Sequence, residues 1–173
     1  MYRYNNYQII RLNFMNNLIE IKQAQTKDDF LSAKKLIFEY VEWLGIDLSF
    51  QNFDKEMETM PMTYGGPDGG LFIVLRNDLP VGVAGIKRYN ETQCEIKRMF
   101  VQLESRGFGI GKLLLTECIA LAKKLKYEAI KLDTAGYMKS AITLYTDHGF
   151  VEIPSYRHNP HEDAKYFELI LNN

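Results

Sequence analysis

CEIKRMFVQLESRGFGIGKLLLTECIALAKKL, residues 94–125, sets a short apolar strand against a long amphipathic helix with only a glycine-rich loop between them. The loop is Arg106-Gly107-Phe108-Gly109-Ile110-Gly111. Its glycines let the backbone approach a ligand without side-chain obstruction. The first amides of the following helix have no intrahelical acceptor and point toward whatever the loop encloses. Together they form an anion site suited to a pyrophosphate.

Upstream of this stretch, Leu71–Arg76 and Val81–Tyr89 are apolar runs joined at Asn77-Asp78, which predicts an antiparallel hairpin. A short turn near Glu91-Thr92 leads into a strand over Gln93–Val101. Nearer the N-terminus, Leu18–Ala24 alternates and reads as a strand. Thr26 is a candidate N-cap with Asp28 and Asp29 in the first turn. Phe30, Ala33, Leu36, Ile37, Tyr40, Val41 and Leu44 then recur at helical spacing until Gly45. A second short helix is expected over about 50–59. Tyr64–Gly70 contains four glycines and a proline and reads as a flexible loop.

Downstream, Ile110–Leu125 is a helix, Ala129–Asp133 a strand, Ala141–His148 a helix, and Phe150–Ile153 and Phe167–Leu171 strands. An antiparallel front half joined to a βαβ-like back half predicts an α/β chain with a mixed sheet and helices on its faces. Residues 1–17 are rich in Asn and Tyr and read as an N-terminal extension, a mobile tail or the product of an upstream start codon, with an added strand or a dimer contact as the alternative. A single domain is expected over 18–173.

The chain has 173 residues, enough to bury a substantial core. Its 21 Lys+Arg against 22 Asp+Glu give no field for nucleic acid or a membrane surface. No apolar run is long enough to span a bilayer, and no secretory signal is evident, so a cytoplasmic protein is expected. Cys94 and Cys118 are too few for a zinc or disulfide framework and read as small buried residues. The three histidines show no metal-ligand spacing with them, so no metal is expected.

The glycine loop is not a P-loop: Leu113, not Ser or Thr, follows Lys112. Nor do Gly107, Gly109 and Gly111 have the G-x-G-x-x-G spacing of a dinucleotide site. Arg106, Gly109 and Gly111 instead give R-x-x-G-x-G. This segment resembles motif A of the GNAT superfamily of acyl-CoA-dependent N-acetyltransferases, whose pattern is Q/R-x-x-G-x-G/A. The flanks agree: EIKRMFV before the loop, then the helix, IKLDT, and AITLYTDHGF.

The resemblance implies a GNAT-type central sheet, mixed but mostly antiparallel, flanked by helices and splayed at an acetyl-CoA site. Arg106, Gly107, Phe108, Gly109, Ile110, Gly111 and Lys112 would hold the pyrophosphate, with Lys112 equally able to stay in solvent. Met99, Phe100 and Val101 would run beside the pantetheine arm as an added strand would. One amide near Phe100 or Val101 would stabilise the oxyanion at the thioester carbonyl. Tyr145 matches the tyrosine of A-x-x-L-Y-x-x-x-G-F, a general acid toward the CoA thiolate in many members; the alternative is a tyrosine packed on the sheet.

Glu95 has the spacing of the general-base glutamate of the histone-acetyltransferase branch, or else pairs with Lys97 or Arg88. Glu20, Asp133 and Glu168 are further carboxylate candidates. Many members carry an asparagine after the strand that ends at Asp133. Here Thr134-Ala135-Gly136-Tyr137-Met138-Lys139-Ser140 holds none, so Ser140 or Lys139 would replace that contact, and Thr134, at the end of the strand, is a further cofactor candidate.

On the acceptor side stand Tyr40, Tyr156 and Asn159, the last two resembling the Y-x-x-N-P signature of a bacterial branch. Trp43 reads as a core residue on its helix. The expected activity is acetyl transfer from acetyl-CoA to a primary amine of a small molecule or peptide, by direct attack in a ternary complex. The alternatives are a non-catalytic acyl-CoA sensor and, less well supported, a nucleotide-binding module. Dimers are common in the superfamily, so a homodimer is open.

Overall fold

A computed structural model of the chain describes residues 10–14, 17–45 and 52–171. Eight strands form one sheet in the order β1-β2-β3-β4-β5-β6-β8-β7. They are β1 (Ile10–Phe14), β2 (Asn17–Gln23), β3 (Gly70–Arg76), β4 (Leu79–Arg88), β5 (Gln93–Val101), β6 (Ala129–Ala135), β7 (Val151–Ile153) and β8 (Ala164–Ile170). Every neighbouring pair is antiparallel except β5 and β6. The mixed, mostly antiparallel sheet read from the sequence is the one observed.

Two apolar cores lie on opposite faces. One packs α4 (Ile110–Lys124) and α5 (Lys139–Asp147) through Leu114, Leu115, Cys118 and Tyr145 against Ile86, Ile96 and Ile130. The other packs α1 (Lys27–Leu44), α2 (Phe53–Glu58) and α3 (Met60–Gly65) against Leu71, Ile73, Val83 and Phe100. Both cysteines are free and buried.

Local chemistry sets the ends of α1. Thr26 and Asp29 exchange side-chain-to-backbone bonds in a capping box, and Gly45 closes the helix at φ 65°. Asn77 and Asp78 both hold positive φ, 51° and 67°, as the tight β3–β4 hairpin requires.

Three details differ from the expectations. Ile10–Phe14, inside the stretch read first as a tail, follow the alternative reading of an added strand: they pair with β2, and Ile10 packs against the core. The short helix expected over about 50–59 is α2, and a further helix that was not expected, α3, follows it; residues 50 and 51 lie outside the described residues. Tyr64 and Gly65, expected in a loop, end α3, because Met60 and Tyr64 stand one helical turn apart and both bury into the second core.

Candidate active site

The site begins with a break in the sheet. β5 and β6 pair in parallel only through Gln93↔Ala129, Cys94↔Ile130 and Glu95↔Lys131. β6 stays paired with β8 along its whole length, while β5 stays with β4 to Val101. The two strands therefore part after Glu95, and among the described residues the facing edge of β5 has no ladder partner beyond that point.

A bulge makes the departure sharper. Val83 pairs with Phe100 and Gly85 with Lys97, so Arg98 and Met99 together face Ala84. Arg98 takes the extra residue at φ 58°, which costs a non-glycine residue about 1 kcal/mol. Its guanidinium is held there by Glu56, with Nε donating to Oε1 at 2.8 Å and Nη2 to Oε2 at 3.2 Å. The bulge shifts the alternation of the strand. Ile96 and Met99 both face the α4 core, so Lys97 and Arg98, adjacent in sequence, share the other face.

The cleft holds two joined cavities. An outer groove of about 680 Å³ runs along Met99–Val101 to the glycine loop. An inner chamber of about 100 Å³ opens between Lys97 and Asp133. Tyr40, Met99, Met138, Ala141 and Tyr145 line both.

At the outer end, Gly107 and Gly109 stand at φ 86° and 76°, with nothing within 4 Å of the position a Cβ would take at either. Backbone conformation, not crowding, demands glycine at both. Gly109 caps α4 and has no side chain to bond the first amides of that helix. Arg106, Lys112 and Lys139 line this groove, and no carboxylate does among the described residues. The Arg106 Nε donates to the Val101 carbonyl at 3.1 Å, and its guanidinium lies 4.7 Å from the Trp43 ring centre. Phe108 turns its ring toward Arg76, 4.8 Å from the guanidinium, and its side chain does not line the groove.

Tyr145 stands at the junction. Its hydroxyl donates to the Met99 sulfur at 3.8 Å, and its ring packs on Phe150 and Phe167. Burial pushes the phenol up from its ordinary range, so it stays protonated. Tyr40, stacked near Phe100 and Trp43, is pushed up to about 12 by burial. Ser140 lines the outer groove. Thr134 lines only the inner chamber, where its hydroxyl donates to the Met138 sulfur at 3.3 Å.

In the chamber, Asp133 Oδ1 lies 3.5 Å from both Lys97 Nζ and Arg157 Nη2, and Asn159 Nδ2 donates to Oδ2 at 3.5 Å. Burial drives the Lys97 pKa down, and the charge of Asp133 pulls the other way. His161 and Asp163 complete the rim.

Glu95 and Tyr156, expected as base and acceptor contact, line neither cavity. The loop before β8 folds over Glu95: Arg157 pairs with it, and the Tyr156 hydroxyl donates to its Oε1 at 2.6 Å. Lys97 Nζ lies 3.8 Å away. Of the carboxylates considered, Glu20 pairs with Arg11 at the sheet edge and Glu168 with Lys131. Asp133 alone among those four reaches the chamber.

Trp43 corrects another expectation. It is 41% exposed and forms the groove wall beside Arg106 rather than core.

The sequence profile of the Acetyltransferase (GNAT) family matches residues 37–150. An uncharacterised N-acetyltransferase of Schizosaccharomyces pombe is 37% identical over 155 residues, covering 88% of this chain and 93% of its own. The chain belongs to the GNAT family of acetyltransferases. A GNAT acetyltransferase from Staphylococcus aureus Mu50 superposes with TM-score 0.74 at 24% identity, over 89% of this chain and 99% of its own. An acetyltransferase from Bacillus anthracis, solved in complex with acetyl coenzyme A, is 25% identical with TM-score 0.55, over 62% of this chain and 66% of its own.

Membership makes this chain an acyltransferase of a family that uses acetyl-CoA. The sequence reading missed Lys97 and Arg98 as chamber residues. Two adjacent cations in the middle of a strand, between Ile96 and Met99, were the available signal. Met138, His161 and Asp163 left no comparable mark. Among the described residues, no group of His, Cys, Asp and Glu is arranged to hold a metal ion, and no helix is long and apolar enough to cross a membrane.

Proposed function

We propose that this GNAT protein transfers an acetyl group from acetyl-CoA to a primary amine of a small molecule or peptide, with donor and acceptor bound together. The observation that carries the reading is the junction at Tyr145 and Met99, where a cation-lined groove meets a charged inner chamber. Acetyl-CoA supplies the activated thioester.

The chain's own residues fit that partner. The amides of Gly107–Gly111, with Arg106, Lys112 and Lys139, suit a diphosphate. The unpaired edge of β5 at Met99–Val101 offers N–H and C=O groups to an extended, amide-bearing arm. A backbone N–H near Phe100 or Val101 is fixed before reaction, so it stabilises developing negative charge without reorganising. Thr134 and Ser140 offer hydroxyls along the same cleft.

Tyr145 Oη holds the proton that the leaving sulfur needs. Its raised pKa keeps that proton in place at neutral pH. On the acceptor side Asp133, rather than Glu95, takes the proton of the incoming ammonium: both carboxylates have cationic neighbours, but Asp133 lines the chamber and Glu95 lines neither cavity. Tyr40 and Asn159 shape the acceptor's path; Tyr156 acts behind them by holding the loop.

Two measurements on one preparation test the reading. Calorimetry with acetyl-CoA should saturate, and free thiol should appear only when an amine is added. Saturable binding without thiol release from any amine in a broad panel would overturn it.

A further inference from the structure

The inner chamber is bipolar. Its β5 side carries Lys97 and Arg98, each 5% exposed. The opposite side, formed by β6 and the loop before β8, carries Asp133 and Asp163 with Asn159. Building on the transfer reading above, we propose that the acceptor is a compact amine bearing an anionic group close to its amino group, an amino acid in chemical class. Its ammonium faces Asp133 and its carboxylate faces Lys97 and Arg98.

Three arguments lead there. A chamber of about 100 Å³ suits a short acceptor. A polyamine entering it would set its second ammonium against Lys97 and Arg98, whose neighbouring carboxylates Asp133 and Glu56 are already engaged by them and offer that ammonium no partner of its own. A zwitterion meets complementary charge on both sides instead. Donors can be turned to this use: arginine carries five N–H, of which Glu56 engages Nε and Nη2 of Arg98, and the Lys97 ammonium, 3.5 Å from Asp133 and 3.8 Å from Glu95, would share its three N–H between those carboxylates and the acceptor's. The bulge at Arg98 builds this wall, since a regular strand would send Lys97 and Arg98 to opposite faces.

The test compares each acceptor with its own neutral analogue. Thiol release is measured with glycine, L-alanine and L-glutamate, with glycinamide and L-alaninamide, and with putrescine and spermidine. The amino acids should exceed their amides by at least tenfold in kcat/KM at matched concentrations of free amine. In Lys97→Met, checked for folding by circular dichroism, that ratio should shrink to within about threefold, and Lys97→Arg should restore much of it. The amino acid to amide comparison on the unaltered protein stands even if the variants misfold.

Polyamines or amides equalling the amino acids would overturn the proposal while leaving acetyl transfer intact. An unchanged ratio in folded Lys97→Met would overturn the role of Lys97 and with it the bipolar chamber. Saturable acetyl-CoA binding with no thiol release from any amine would overturn the transfer reading, and the acceptor class with it.

Discussion

The Tyr145 hydroxyl lies 3.8 Å from the Met99 sulfur, so α5 meets β5 where the sheet has parted and where the outer groove opens into the inner chamber. On the reading proposed above, a proton donor at that junction would serve a leaving thiolate in the groove while staying within reach of the chamber. Tyr145→Phe keeps the ring that packs on Phe150 and Phe167 and removes only the O–H. Turnover should fall about 100-fold, within the usual range for a lost general acid. The acetyl-CoA dissociation constant should change less than about threefold. Steady-state kinetics beside calorimetry check both, and unchanged turnover removes Tyr145 from the reaction.

The pH profile follows from the same burial. A phenol whose pKa is raised by burial keeps its proton throughout the range in which acceptor amines lose theirs. The rate should therefore climb as the acceptor deprotonates and reach a plateau, with no descending limb below about pH 10. A fall in kcat between pH 8 and 9, with the protein still folded, contradicts Tyr145 as the acid.

The legible part of this fold lies in residues 93–125. There an apolar strand, a glycine loop and an amphipathic helix follow one another, each with its own periodicity, and the observed β5 and α4 start where expected. Tyr145 was legible for a related reason: its position depends on the short, regular α5 and on the Gly149-Phe150 turn behind it. What was not legible depends on breaks in periodicity and on contacts distant in sequence. A bulge at Arg98 defeats the period of two that assigns strand faces, so Lys97 and Arg98 could not be placed together. The choice between Glu95 and Asp133 turns on a loop about 60 residues from Glu95 (Arg157 closes over it), a contact no local pattern encodes. Trp43 sits on a helical face that α1 shares between core and groove, and the helical pattern marks the face without marking where the sheet beneath it ends.

Acid should loosen the α2–β5 junction first. Burial would raise the Glu56 carboxyl, but the hydrogen bonds and charge of Arg98 outweigh it and hold the group at about 2 against an ordinary 4.5. Between those values the unfolded chain binds the extra proton, so stability rises with pH across the window. The contribution is complete above about pH 4.5 and is lost as the pH falls toward 2; it amounts to about 3 kcal/mol. Asp29, lowered by Lys22 and the capping amides despite burial, adds a dependence of the same sign. Urea unfolding at pH 3 and pH 6 should show a smaller difference in Glu56→Gln than in the unaltered chain. Parallel behaviour of the two proteins removes Glu56 as a source of the acid lability.

Trp43 and Arg106 provide a test at the cofactor end. The guanidinium lies over the indole and donates to Val101, so its charge is steered along the groove. Removing the ring in Trp43→Ala forfeits a cation–π contact of about 0.5–1 kcal/mol and one wall of the groove. Acetyl-CoA affinity should drop at least threefold. Stability should change little because the ring is 41% exposed. Unaltered affinity in calorimetry separates Trp43 from the cofactor.

Gly109 is where the loop turns into α4, and it does so at φ 76° with nothing within 4 Å of the position a Cβ would occupy. Substitution there is costly through the backbone alone. Ala in the left-handed region costs about 1 kcal/mol, and Asn, which tolerates that region better, should cost less. Thermal unfolding should therefore rank the chain as Gly109, then Gly109→Asn, then Gly109→Ala. Acetyl-CoA binding should weaken in the same order and more steeply, because relaxing the strain rotates the peptide that aims the first α4 amides into the groove. A Gly109→Ala protein that loses stability but binds acetyl-CoA as well as the parent would show that the turn serves the fold and not the phosphates.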